Sequence, residues 1–261
     1  MALSFQKVSS RRVATGLCGA IAGIFLANIY GHLFLEPGSR LSIFFDVNME
    51  KNLPATFSAL MLLSCAVLLG QIAWVKLRKV ELRNRIRDTK NQLFATHWRL
   101  LCGIFCIMAI DEFFSYHEKV GKILKRHLDT EGIFYYDWVI PGSIFVVIFL
   151  VSYAKFVIHL PPATRRRFVV AGALFLGGAL GMEMVSGNYV SINGPDHRLM
   201  MALLNGIEEL FEMLGIVAFI RALLLYLQSD PHRKQMPAVR RRELATTGDA
   251  VAGRADANKY R

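Results

Sequence analysis

Two short stretches hold most of the residues that could do chemistry. "MAIDEFFSYHE", residues 108–118, carries Asp111, Glu112, His117 and Glu118. "NGIEELFEMLG", residues 205–215, carries Glu208, Glu209 and Glu212. Glu183 stands alone in "LGGALGMEMVSG", residues 176–187. Carboxylates grouped with an imidazole can take up protons. They can also hold Mg, Ca or Mn through hard oxygen ligands, or Zn or Fe with the histidine included. In a metal reading, Asp111, His117, Glu118, Glu183, Glu208 and Glu212 are the ligands, and Glu209 or Glu112 is the general base for a metal-bound water.

The spacing matches no standard metal pattern. Helical di-iron sites use Glu-x-x-His, but Phe114 stands three residues before His117. There is no His-Glu-x-x-His, and the repeated histidine boxes of membrane desaturases are absent. No P-loop, no G-x-G-x-x-G and no Ser/His/Asp arrangement stands out. Cys102 and Cys106 share a helix face at i, i+4, but Cys18, Cys65, Cys102 and Cys106 all lie in apolar runs. They read as small core hydrophobes and not as a disulfide framework.

The elements that carry these residues are apolar. Of 261 residues, 54% are hydrophobic, and the mean hydropathy is +0.36. That exceeds an ordinary soluble domain and points to a polytopic membrane protein. A span needs roughly 20 apolar residues. Six stretches qualify: 13–34, 55–77, 98–118, 138–160, 167–187 and 199–228. Backbone groups must be satisfied within lipid, so the expected fold class is all-α with six transmembrane helices. The first stretch has a basic start but no clean small-x-small cleavage site, and reads as a retained span. Residues 1–228 form the membrane domain, and 229–261 a basic, disordered tail.

The net charge of +11 is distributed with a clear bias. Lys7, Arg11 and Arg12, the 76–99 connection, Arg165–Arg167 and the tail are basic, and all fall on one side of a six-span arrangement. The positive-inside rule puts that side, with both termini, in the cytoplasm of a plasma or bacterial inner membrane. Topology and anionic lipid head groups account for the basic charge, so no nucleic-acid partner is expected. "KVGKILKRHL", residues 119–128, reads as a short interfacial helix, and "FYYDW", residues 134–138, as an aromatic belt. Gly19, Gly23 and Ala27, and Gly177 and Gly181, are spaced by four, which lets helices approach closely and places span five inside the bundle. Association into a homo-oligomer is left open.

Depth brings the acids together. Asp111 lies seven residues before Glu118, or roughly 10 Å at about 1.5 Å per residue. Glu183 lies near the outer end of span five, and Glu208 in the outer half of span six. Asp111, Ser115 and Glu118 form one stripe at i, i+4, i+7, with Glu112 about 100° away. Asn205, Glu208 and Glu212 form a second stripe. The two stripes and Glu183 would make an outward-facing carboxylate pocket, with His117, His197 and Arg198 at its rim. No Lys or Arg lies at matching depth on these helices. Three resolutions are open: some carboxyls are protonated, a cation is bound, or Lys119, Lys122 and Arg198 at the outer edge reach in. The expected reading is a bound cation, proton or metal, in a transport or sensing role. The alternatives are a membrane metalloenzyme acting on a lipid or periplasmic substrate, and a structural or assembly subunit with a polar packing network. His97 with His159, or His32 with His117, could ligate a haem, but interfacial histidines are far commoner and haem is not expected.

Overall fold

The computed structural model describes residues 9–36, 38–83, 89–128 and 130–229. Among them every regular element is helical. In chain order these are α1 (Ser10–Phe34), α2 (Arg40–Phe45), α3 (Leu53–Arg83), α4 (Thr89–Phe114), α5 (Tyr116–Leu124), α6 (Val139–His159), α7 (Pro162–Leu176), α8 (Glu183–Asn193) and α9 (Arg198–Ser229). A π-helical turn, Gly177–Met182, joins α7 to α8, so that Pro162–Asn193 runs as one span. Among the described residues six helices are long and apolar enough to cross a membrane, which makes the chain a multi-pass membrane protein. The tail beyond Ser229, the centre of the basic 76–97 connection, Lys7 and the Arg198 side chain lie outside the described residues.

Helix α9 is the hub. It packs on α1, α3, α7 and α8, while α3 also lies along α4. The apolar core follows these contacts: Leu62, Cys65 and Leu69 of α3 meet Met213, Ile216 and Leu223 of α9, all fully buried. Toward the ends of α4 and α6 nearest the 159–162 connection, aromatic rings do the packing. Trp98 stacks on Tyr226 and meets Phe156 and Phe168 edge-on. Phe94 stacks on His159 with centroids 4.4 Å apart and lies 5.8 Å from His97.

Proline sets two boundaries. Pro141 sits in the first turn of α6, where its missing N–H costs nothing, and Pro162 opens α7. Span three differs from the expectation. It ends at Phe114, because Ser115 adopts a left-handed backbone, φ +45° and ψ +53°, and α5 leaves in a new direction. The interfacial helix therefore begins at Tyr116 and not at residue 119. The stripe of Asp111, Ser115 and Glu118 does not exist, since it required one continuous helix.

The glycine stripes also differ. A methyl on Gly19, Gly23 or Gly177 would meet nothing within 4 Å, and on Gly181 only a carbonyl of its own helix, that of Leu176, at 3.9 Å. The close approach of spans five and six runs instead through Gly178 and Gly215. The extra residue in the π-helical turn shifts the helix face, so that Gly178 is the glycine that meets α9.

Candidate functional site: a carboxylate pocket at one end of the bundle

The pocket lies at the end of the bundle carrying the 35–52 and 115–138 connections. Its geometry starts at the break after α4. Asp111 accepts two hydrogen bonds from His117: one from the backbone N–H to Oδ1 at 2.9 Å, one between Nδ1 and Oδ2 at 2.8 Å. The first satisfies an N–H at the start of α5 that has no partner within that helix. The Lys119 ammonium donates to the Phe114 carbonyl at the end of α4. These contacts hold the left-handed turn and fix His117 over the cavity mouth.

Burial opposes a positive charge on His117. The hydrogen bond and charge of Asp111, helped by Glu183 and Glu118, outweigh that and hold the imidazole above its ordinary value.

Trp138 wedges between α5 and α6. Its ring lies 4.8 Å from His117, and its Nε1 donates to Glu183 Oε1 at 3.0 Å. A methyl on Gly142 would lie 2.9 Å from the Trp138 ring, so a glycine is needed for the wedge to seat. Residues 132–138 are tied to α8 by a bond from Gly132 N–H to Ser191 Oγ at 2.9 Å, and Tyr135 and Tyr136 pack on Gly187. Burial, with Glu183 close by, pushes the Tyr136 phenol up to about 12, so it faces the cavity as a neutral donor.

The cavity has a volume of about 430 Å³. Four intramembrane carboxyls line it: Glu112 from α4, Glu183 from α8, and Glu208 and Glu209 from α9. Glu183 and Glu208 lie close together in it. Two carboxyls bond to each other only when one of them carries a proton. Glu212 is half-buried and lies outside the lining, its Cγ against Gly178. The fully buried Ser58 of α3 faces Glu112.

The candidate residues therefore separate. Glu112, Glu183, Glu208 and Glu209 converge on the cavity, and His117 and Glu118 reach its rim. Asp111 instead caps α5, and Glu212 packs on Gly178; neither lines the cavity. Glu118 is half-exposed and bonds Lys122 at 3.2 Å. His197 packs on Tyr189, outside the lining. Among the described residues, no three His, Cys, Asp or Glu side chains are placed to hold one metal ion. Cys102 Sγ lies 3.2 Å from the Ala66 carbonyl and serves the α3–α4 contact.

Several lining residues fall outside the site expected from sequence, among them Tyr135, Tyr136, Asp137 and Trp138 of the 134–138 run, and Glu50, Lys122 and Lys125 at the mouth. The signal for that run is an aspartate embedded in "FYYDW", since an aromatic belt has no need of an acid. Asp137 is 1% exposed.

Fold and site together define a six-span membrane protein with an acidic pocket at one end. The chain matches the family described as Domain of unknown function (DUF8692) over residues 15–227, and it belongs to that family. No curated protein and no solved structure matches it.

Proposed function

We propose that this protein binds protons at its carboxylate pocket and uses their uptake and release in transport or sensing. One observation carries the reading: Glu112, Glu183, Glu208 and Glu209 converge from three helices on a single cavity, and no lysine or arginine of a span lines it among the described residues. Several like charges held this close in a poorly solvated site must be balanced, by protons or by a mobile cation. A proton fits the Glu183–Glu208 contact, whereas the ligand geometry for a divalent ion is not assembled among the described residues. The basic connections lie at the opposite end, so the positive-inside rule turns the pocket to the outer face of a plasma or bacterial inner membrane.

Infrared difference spectroscopy across a pH step, on protein in lipid nanodiscs, tests this. The expected result is a carboxylic-acid carbonyl band that falls on alkalinisation and loses a component in Glu209→Gln. A spectrum without that band would leave a fixed polar network that holds the helices together. Elemental analysis of the same preparation reports directly on a metal: a stoichiometric ion lost in Glu208→Gln would replace the proton reading with a metal one.

A further inference from the structure

We propose that the pocket takes a linear organic amine with more than one ammonium group. This rests on the reading of the pocket as a proton-binding acidic site and goes beyond it, adding an organic cation that exchanges with those protons. A volume of about 430 Å³ falls in the range of small-molecule sites and exceeds what a single ion needs. The lining has two chemistries. Glu112, Glu183, Glu208 and Glu209 form an acidic floor, while Tyr135, Tyr136 and Trp138 form an aromatic wall. That pairing suits an alkylammonium: the acids accept its N–H donors, and the rings lie against its methylenes and attract its charge.

A further acid, Asp137, lines the same cavity among the aromatic residues. Asp137 Oδ1 accepts from the Thr130 backbone N–H at 3.3 Å and from the Thr130 hydroxyl. Its Oδ2 is buried and has no hydrogen-bond partner among the described residues. A buried carboxylate oxygen left unpaired is costly, and a donor delivered with a ligand removes that cost. The two lysines at the rim are engaged elsewhere. Lys122 is bonded to Glu118, and Lys125 donates to the Thr130 carbonyl and lies 4.7 Å from the centre of the Tyr135 ring. One ammonium then belongs at the glutamate floor, a methylene chain along Trp138 and Tyr136, and a second ammonium at Asp137.

Isothermal titration calorimetry on the full chain in neutral-lipid nanodiscs tests the inference. The probes are spermidine, 1,4-diaminobutane, n-butylamine and Mg²⁺ at matched ionic strength. Spermidine is expected to bind saturably, one per chain, and about tenfold or more tighter than n-butylamine, as a second charged hydrogen bond implies. Asp137→Asn should bring spermidine down to the n-butylamine level and leave n-butylamine unchanged. The ligand series on the unaltered protein discriminates in the same way and does not depend on a variant that folds. Equal heats from Mg²⁺ and spermidine would reduce the effect to screening and overturn the inference. Absence of saturable amine binding, with the infrared carboxyl band still responding to pH, would overturn it and leave the proton reading standing. Silence in both experiments would remove both.

Discussion

Span five meets span six through a glycine at two places, one in each half of the membrane domain. At Gly215 of α9, an added methyl would lie 2.6 Å from the Phe175 backbone nitrogen and 2.9 Å from its Cα and Cβ. At Gly178, it would lie 2.7 Å from the Glu208 carbonyl oxygen and 3.0 Å from the Glu212 nitrogen. The same device thus closes both contacts, in different surroundings. Around Gly215 the neighbours are apolar and buried: Ile216, Phe219 and, across the gap, Phe168. Around Gly178 the regular helix gives way to a π-helical turn, and the close approach brings Glu183 beside Glu208. In the first half proximity yields dispersion contacts. In the second it sets two acids side by side, an arrangement that costs stability.

The largest effect should come from alanine at the two glycines, and the pair separates the two halves. Gly215→Ala presses a methyl on backbone that cannot yield without moving a whole helix. Overpacking of this kind costs about 1–3 kcal/mol. It should lower the melting temperature strongly and leave the acids' chemistry intact in the protein that remains folded. Gly178→Ala should cost less, since the π-helical turn can readjust. It should instead remove the component of the infrared carboxyl band that belongs to Glu183 and Glu208. Equal loss of stability with an unchanged band in both variants would show that the acidic half is packed for stability alone.

A smaller effect is expected from pH at the corner between α4 and α5. His117 is held above its ordinary value of about 6.5. A group raised in the folded state stabilises it fully below the ordinary value, and that contribution is lost as pH rises through the raised value. The corner should therefore loosen on alkalinisation, not on acidification. Amide hydrogen exchange over residues 115–124, followed from mildly acid to alkaline pH and corrected for intrinsic rates, should show protection falling with pH. Asp111→Asn should flatten that profile, because Asp111 supplies the hydrogen bond and the nearest charge, with Glu183 and Glu118 adding to it. A slope that survives Asp111→Asn would assign the pH response to other groups.

The six spans are readable in the sequence because each is a long apolar run, and lipid leaves the backbone no alternative to a helix. The acids are readable for the same reason, as charged residues where charge is expensive. Their grouping is legible at the level of helices, and Glu183, Glu208 and Glu209 do share a cavity. Their facing is not. Glu112, placed by helix geometry away from the Asp111 stripe, is the α4 acid that lines the cavity. The break at Ser115 carries no signature of the kind glycine or proline gives, and the glycines of the π-helical turn, Gly177, Gly178 and Gly181, read equally well as packing positions in a regular helix. A left-handed serine is recognisable only once Asp111 and His117 are seen to hold it. The aromatic run at 134–138 shows the same limit, since belt residues and pocket-wall residues share a composition, and only the chain's path tells them apart.

The smallest effect bears on that serine. Ser115 is 7% exposed, and its side chain makes no capping hydrogen bond. A left-handed backbone costs an L-residue about 1–2 kcal/mol, and glycine adopts it without that cost. Ser115→Gly should therefore stabilise the corner by up to about 1 kcal/mol, once glycine's greater freedom in the unfolded chain is subtracted. Hydrogen exchange over residues 116–124 would read this as slower opening, with the pH slope from His117 unchanged. Faster opening in Ser115→Gly would mean that the buried hydroxyl, not the Asp111–His117 contact, holds the turn. The strain at Ser115 would then not be relieved by glycine, and the acidic half would depend on one more polar side chain than its hydrogen bonds account for.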